Sequence, residues 1–241
     1  MRKILFFTML SLSTTITLAE VGDNFFSIKL GSSNSNTTGI TTFKDQIGTG
    51  TAGDTTDKDL GKSDIMEIGI GSYFSETFSG EISLAQRNGF KYATTHTKSD
   101  GVADTTLRYK ADVESLAVFI NGYFNAQPLS IIQTSVTPYL GVGVGFSRNK
   151  MGAVDITQVS DGVSLGNAAS NTETEFAYKL ALGTLINLSD SVSVDLNYQY
   201  VDLGNIKSGT NLSFDSRDMV APFSGPEITS SEFNVGLQVV F

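Results

Sequence analysis

The last ten residues, 232–241, alternate with period two. Phe233, Val235, Leu237, Val239 and Phe241 are large and apolar, while Glu232, Asn234, Gly236 and Gln238 are polar or lack a side chain; only Val240 breaks the pattern. Successive side chains of a strand point to opposite faces, so this stretch reads as a strand with one greasy and one polar face. Ten residues is about the length a tilted strand needs to cross a bilayer. Residues 191–203 repeat the rhythm, with Val192, Val194, Leu196, Tyr198 and Tyr200 opposite Ser193, Asp195, Asn197 and Gln199. Past the N-terminus no apolar run approaches the roughly 18 residues of a spanning helix. A helical membrane protein is therefore excluded. A barrel is not, because alternating strands average to a mean hydropathy near zero, as here.

Five further segments alternate in the same way. Phe26, Ile28 and Leu30 oppose Ser27, Lys29 and Gly31; Met66, Ile68, Ile70 and Phe74 oppose Glu67, Gly69 and Gly71. Phe78, Ile82 and Leu84 oppose Glu81, Ser83, Ala85 and Arg87. Leu140, Val142, Val144 and Phe146 oppose Tyr139, Gly141, Gly143 and Gly145, and Phe176, Tyr178, Leu180 and Leu182 oppose Ala177, Lys179, Ala181 and Gly183. Residues 107–124 are less regular. Leu107, Tyr109, Ala111 and Val113 share a phase against Arg108, Lys110, Asp112 and Glu114, but beyond Ser115 apolar residues fall in both phases. A β-bulge near Ser115 would reset the register; the residues alone leave it open. The count is about eight strands, with ten possible if residues 32–62 add a hairpin.

Polar, Gly/Ser/Thr/Asn/Asp-rich gaps occupy residues 32–62, 91–104, 148–171 and 205–229, and short gaps fall at 75–77, 125–134 and 188–190. Alternating long and short connections are what an up-and-down barrel with long external loops and short periplasmic turns produces. Aromatics fall into two sets. Phe26, Phe74, Phe78, Tyr123, Phe124, Tyr139 and Phe241 lie by short turns or termini. Phe90, Tyr92, Tyr109, Phe146, Phe176, Tyr178, Tyr198, Tyr200 and Phe233 lie by long loops. Two interfacial girdles around an aliphatic band would place them so, although Trp is absent. A soluble β-sandwich or lipocalin-type barrel also alternates by twos, with its charges outside. The girdles, the loop rhythm and the terminal Phe favour the membrane arrangement, all-β and antiparallel, with acids and bases turned inward.

The N-terminus bears on compartment. Arg2 and Lys3 precede an apolar stretch over residues 4–12 and a segment ending Thr17-Leu18-Ala19. This reads as a secretory signal peptide over residues 1–19, cleaved after Ala19, ahead of a barrel domain over 20–241. The formal net charge of −9 would repel a phosphate backbone, which argues against nucleic acid. The absence of cysteine removes disulfides and thiolate metal sites.

The segment Thr137-Pro138-Tyr139-Leu140-Gly141-Val142-Gly143-Val144-Gly145-Phe146 resembles the T-P-Y-x-G-x-G-x-G-aromatic strand of the OmpA-like outer-membrane β-barrel superfamily, which includes Opa-type and rickettsial-type surface antigens. Asn121-Gly122-Tyr123-Phe124 resembles that superfamily's N-x-Y-[YF] strand end. The closing strand, through Phe233, Val239 and Phe241, resembles the signal read by the barrel-assembly machinery. The resemblance implies outer-membrane residence among lipid and lipopolysaccharide, contact with that machinery, and loops facing a host or neighbouring cell. It is specific for fold and weak for activity.

An eight-stranded barrel has a bore that side chains can fill. Charges turned into it must pair. The expected lumen network is Glu67, Glu81, Arg87, Arg108, Lys110, Asp112, Glu114 and Lys179, forming either a salt-bridged plug or an ion pathway. Gly141, Gly143 and Gly145 alternate along a strand and so make no phosphate loop; they leave room for bulky neighbours. His96, with Ser99 and Asp100 nearby, suggests a hydrolase only if a third group orients it, and none is evident. Asp54, Asp57 and Asp59 lack the Gly and terminal Glu of a calcium loop. No catalytic, cofactor or metal residues are assigned. Two functions stay open: a structural or surface-antigen barrel whose loops mediate adhesion, and a small channel for ions or hydrophobic solutes.

Overall fold

The computed structural model describes residues 21–36, 60–99, 104–131, 134–214, 217–220 and 224–241. The leader segment, most of the first long gap and Asp54, Asp57 and Asp59 lie outside the described residues. Among the described residues there are thirteen strands: β1 (Asn24–Ser35), β2 (Lys62–Tyr73), β3 (Phe78–Ser99), β4 (Asp104–Asn125), β5 (Leu129–Ile131), β6 (Thr134–Met151), β7 (Val154–Gln158), β8 (Ser164–Ala168), β9 (Asn171–Asn187), β10 (Val192–Lys207), β11 (Asn211–Phe214), β12 (Arg217–Val220) and β13 (Ser224–Val240). Eight of them, β1, β2, β3, β4, β6, β9, β10 and β13, pair antiparallel in that order. The ring closes where β13 returns to β1, with Phe25 opposite Val240 and Ile28 opposite Leu237. Closure leaves no open edge, the condition for strands in hydrocarbon.

The pleat sorts side chains as the alternation requires. Leu30, Ile70, Ile82, Ile120, Val142, Leu180 and Leu237 point outward and are exposed. Val142 and Tyr198 are 60% and 53% exposed, whereas Lys179 and Asp195 on the opposite faces are 2% and 3%. A water-soluble barrel would show the reverse. Outward Phe78 and Phe124 meet edge to face near the short turns, and Phe146 and Phe176 do so towards the long connections. The two rows bracket the aliphatic band.

Above the second row the polarity inverts. Phe90, Tyr92, Leu107, Tyr109, Val113, Met151, Ile156, Leu203, Ile206 and Ile228 are buried in one apolar cluster inside the barrel's extension. The outer face there carries Lys91, Arg108, Lys110, Asp112 and Glu114, all exposed. Water replaces lipid outside, so the charges turn out and the apolar groups turn in.

This inversion corrects the expected register of β4. Its ladders with β3 and β6 run through Ser115 without a shift. The bulge lies instead on β3, between Asn88 and Phe90, at Gly89. Gly89 has φ +123, a region that a residue with a Cβ rarely enters. The extra residue flips β3 so that Arg87 and Phe90 both point inward. Phe90 and Tyr92 are thereby core residues, not girdle members; Tyr109, on the inward face of unshifted β4, joins them, and Tyr123 and Tyr139 face the lumen as well. Burial pushes the Tyr92 phenol up to about 12.

The long gaps are shorter than the composition suggests. β3 and β4 continue to Ser99 and from Asp104, so His96 sits in a strand opposite Leu107. The third gap holds the β7–β8 hairpin and the fourth holds β11 and β12. β7 pairs with upper β4, β8 with β7, and β11 with β8, joining two external connections into one sheet.

Candidate functional site

The lumen within the membrane band is filled by interlocking polar groups. At its centre Lys29, from β1, places its Nζ 3.7 Å from Glu67, 3.7 Å from Glu81 and 3.6 Å from Asp195. Lys179, from β9, donates to Glu67 Oε1 at 2.8 Å and lies 4.8 Å from the Phe119 ring centre. Glu81 also accepts from Ser27, from Tyr123 Oη at 2.6 Å and from Asn121 Nδ2 at 3.3 Å. Asp195 accepts from Tyr139 Oη at 2.7 Å. These are charge-assisted contacts in a buried bore, where an unpaired carboxylate would be costly.

One layer higher, Arg87 and Glu232 form a two-point pair, Nε to Oε1 at 2.5 Å and Nη2 to Oε2 at 2.9 Å. Gln199 donates to the same carboxylate at 2.6 Å and Ser33 at 2.7 Å. The small residues on β6 and β9 make this packing possible. A Cβ on Gly143 would collide with Asn121 Oδ1 and lie 2.9 Å from Lys179 Cγ; one on Gly183 would strike the Tyr139 ring. The residual space beside Lys29 and Glu81 is about 20 Å³ and a vestibule at the short-turn end holds about 60 Å³. The first is room for roughly a single water.

Of the eight residues expected in the network, the structure brings Glu67, Glu81, Arg87 and Lys179 together. Arg108, Lys110, Asp112 and Glu114 are elsewhere. They project from the outer face of upper β4, where Asp112 pairs with Lys91 at 2.5 Å and Glu114 with Lys150 at 3.4 Å. The reason is that β4 keeps one register while its surroundings change from lipid to water. Lys29, Asp195 and Glu232 complete the network. All three stand on polar faces of alternating strands, which was the signal available in sequence. Gln199 and Tyr139 stand on such faces too, whereas Tyr123, whose hydroxyl reaches Glu81, was legible only from packing. Phe233, Val239 and Phe241 are all exposed on the outer wall. Among the described residues no group of three or more His, Asp or Glu could hold a metal ion.

An eight-strand ring with an apolar outer band between two aromatic rows, and with its ionised groups inside, defines an integral β-barrel of the outer membrane. The two long, folded connections place an extracellular sheet on top of it. The chain belongs to the family described as the outer membrane protein beta-barrel domain, which it matches over residues 5–241. It is 28% identical over 145 residues to a protein of Rickettsia bellii named "Putative adhesin", a match spanning 59% of this chain and 60% of that relative. A Rickettsia typhi protein of the same name is 26% identical over 223 residues, covering 86% of this chain and 87% of the other. In fold it is similar to the outer membrane protein OprG of Pseudomonas aeruginosa, with TM-score 0.58 and 14% identity over 94% of this chain and 99% of that one. It is likewise similar to Neisserial surface protein A, with TM-score 0.51 and 11% identity over 90% and 97%.

Proposed function

We propose that this barrel is a display scaffold: the sealed lumen anchors it, and the extracellular sheet binds the surface of a host or neighbouring cell. The observation that carries the reading is the apolar core above the membrane band, continuous with a lumen already filled by paired charges. A pore has no use for a dry core across its mouth, whereas a recognition surface needs a rigid support. The names of the rickettsial relatives point the same way. The chain is assigned no catalytic step.

The test is to replace residues 153–169, which carry β7 and β8, with a short Gly-Ser turn. Barrel integrity is checked by the different migration of boiled and unboiled protein on a gel. Loss of adhesion by cells displaying the protein, with the barrel intact, is the expected result; unchanged adhesion sinks the proposal. Planar-bilayer recordings should show no steady unit currents. Export through cleavage after Ala19, and recognition of Phe233, Val239 and Phe241 by the assembly machinery, belong to the same proposal. N-terminal sequencing of the mature protein and deletion of Phe241 test those two parts.

A further inference from the structure

On the outer wall, at the upper limit of the apolar band, β3, β4 and β6 enclose an open groove of about 210 Å³. Its floor is Leu116, which is outward and 39% exposed. The ladder sets Leu116 opposite both Gln86 and Arg148, and one step higher sets Glu114 opposite both Asn88 and Lys150. Below Arg148 on the same face stands lipid-facing Phe146, 64% exposed; below Leu116 stands Val118. On β4 the outward residues change from Leu116 to Glu114, and on β6 from Phe146 to Arg148, so the hydrocarbon ends between them. Two residues of strand is about 6–7 Å. That places the Arg148 guanidinium at headgroup depth above an acyl-chain wall.

The charges of the groove do not balance. Glu114 is engaged by Lys150. Arg148 has no ion-pair or hydrogen-bond partner among the described residues, although the chain as a whole is acidic. An arginine fork presents donors in the geometry of phosphate oxygens, and its stem can lie along apolar surface. Gln86 and Asn88, which hydrogen-bond each other at 3.3 Å, add amide groups at the rim.

We infer that this groove seats the anionic, phosphate-bearing headgroup of an outer-leaflet lipid, with Arg148 and Lys150 on the phosphate and an acyl chain against Leu116, Val118 and Phe146. Charge complementarity and the adjoining apolar wall select a lipid over a soluble anion. The site lies outside the lumen and away from the extracellular sheet, so it stands or falls independently of adhesion.

The absence of tryptophan makes a direct test possible. Leu116→Trp, or Val118→Trp should the first variant not fold, gives a single reporter beside the groove; Tyr198→Trp gives one on another part of the wall. Each is reconstituted in phosphatidylcholine vesicles containing phosphatidylglycerol, with bromine on the acyl chains of one lipid or the other. Brominated phosphatidylglycerol should quench the groove reporter with an about fivefold association preference over brominated phosphatidylcholine, the order expected of one cation at a membrane surface. The preference should vanish when Arg148→Gln and Lys150→Gln are added, and be absent at Tyr198→Trp. Equal quenching by both lipids at the groove, or a preference that survives loss of both cations, overturns the inference. So does an equal preference at the control position. Abolition by inorganic phosphate, but not by chloride of matched ionic strength, would assign the groove to a soluble anion and overturn the lipid seat.

Discussion

Arg87 and Glu232 meet through two hydrogen bonds in the lumen, both fully buried, although 145 residues separate them in the chain. They project from β3 and β13, which are not neighbours in the ring; β1 and β2 stand between them. The contact therefore fixes the cross-section of the barrel in a way that no strand ladder does.

Removing one partner leaves a buried charge without its counterion. Arg87→Met or Glu232→Met alone should cost about 3–5 kcal/mol, whereas the double substitution should recover most of that loss. Urea unfolding in lipid vesicles, followed by gel migration, measures all three. A double variant as unstable as the sum of the singles would show that the pair acts through something other than mutual neutralisation.

Gly183 provides a second check on lumen packing. Its missing side chain is the space taken by the Tyr139 ring, whose oxygen holds Asp195. Gly183→Ala should destabilise the barrel by about 1–3 kcal/mol, the usual cost of overpacking. Adding Tyr139→Phe should not relieve it, because the ring remains. Adding Tyr139→Ala should, at the expense of Asp195.

The polarity inversion makes substitutions depend on height. Val142→Lys, in the outward apolar band, should cost about 2–4 kcal/mol, whereas Thr174→Lys, just above the Phe176 row, should cost about 0–1 kcal/mol. Equal costs at the two positions would mean that the membrane boundary is misplaced.

The bulge at Gly89 joins the two regimes. Gly89→Val forces a β-branched residue to positive φ and should loosen the extracellular half while leaving the lumen closed. Phe90→Ala should do the same by opening a cavity in the upper core, at about 3–5 kcal/mol. Limited proteolysis should then cut the upper parts of β3 and β4, with heat-dependent migration of the barrel retained.

Glu227 lies above the outer aromatic row, and the neighbouring Asp202 carboxylate, followed by burial, raises its pKa above 4.5. A folded-state value above the unfolded one means that the native protein binds the proton more tightly. The resulting stability is complete below pH 4.5 and is lost as pH rises through the raised value. Amides at the upper ends of β10 and β13 should therefore exchange more slowly at about pH 4 than at pH 7, after correction for intrinsic rates. Asp202→Asn should flatten that dependence.

Much of the fold was legible because a strand announces itself by period two, and a membrane strand does so over about ten residues. The strands containing Leu237, Tyr198 and Val142 were readable in this way, with the outward face identified correctly. The inward charges Glu67, Glu81, Arg87 and Lys179 followed from the same pleat. Arg108, Lys110, Asp112 and Glu114 did not. On β4 the even positions pass from charged to apolar at Leu116, while the odd positions, apolar up to Val113, turn mixed from Ser115 onward, with Phe119 still apolar among them. Read as letters, that change is indistinguishable from a slip of register.

The sequence alone determined the alternation, hence strands, antiparallel closure and a membrane-compatible outer face. Which residues meet across the bore, and the height at which lipid gives way to water, were decided by the tertiary structure. The reason is that the pleat fixes where a side chain points relative to its neighbours, a local property. Whether that direction leads to lipid, water or a counterion depends on strands more than a hundred residues away.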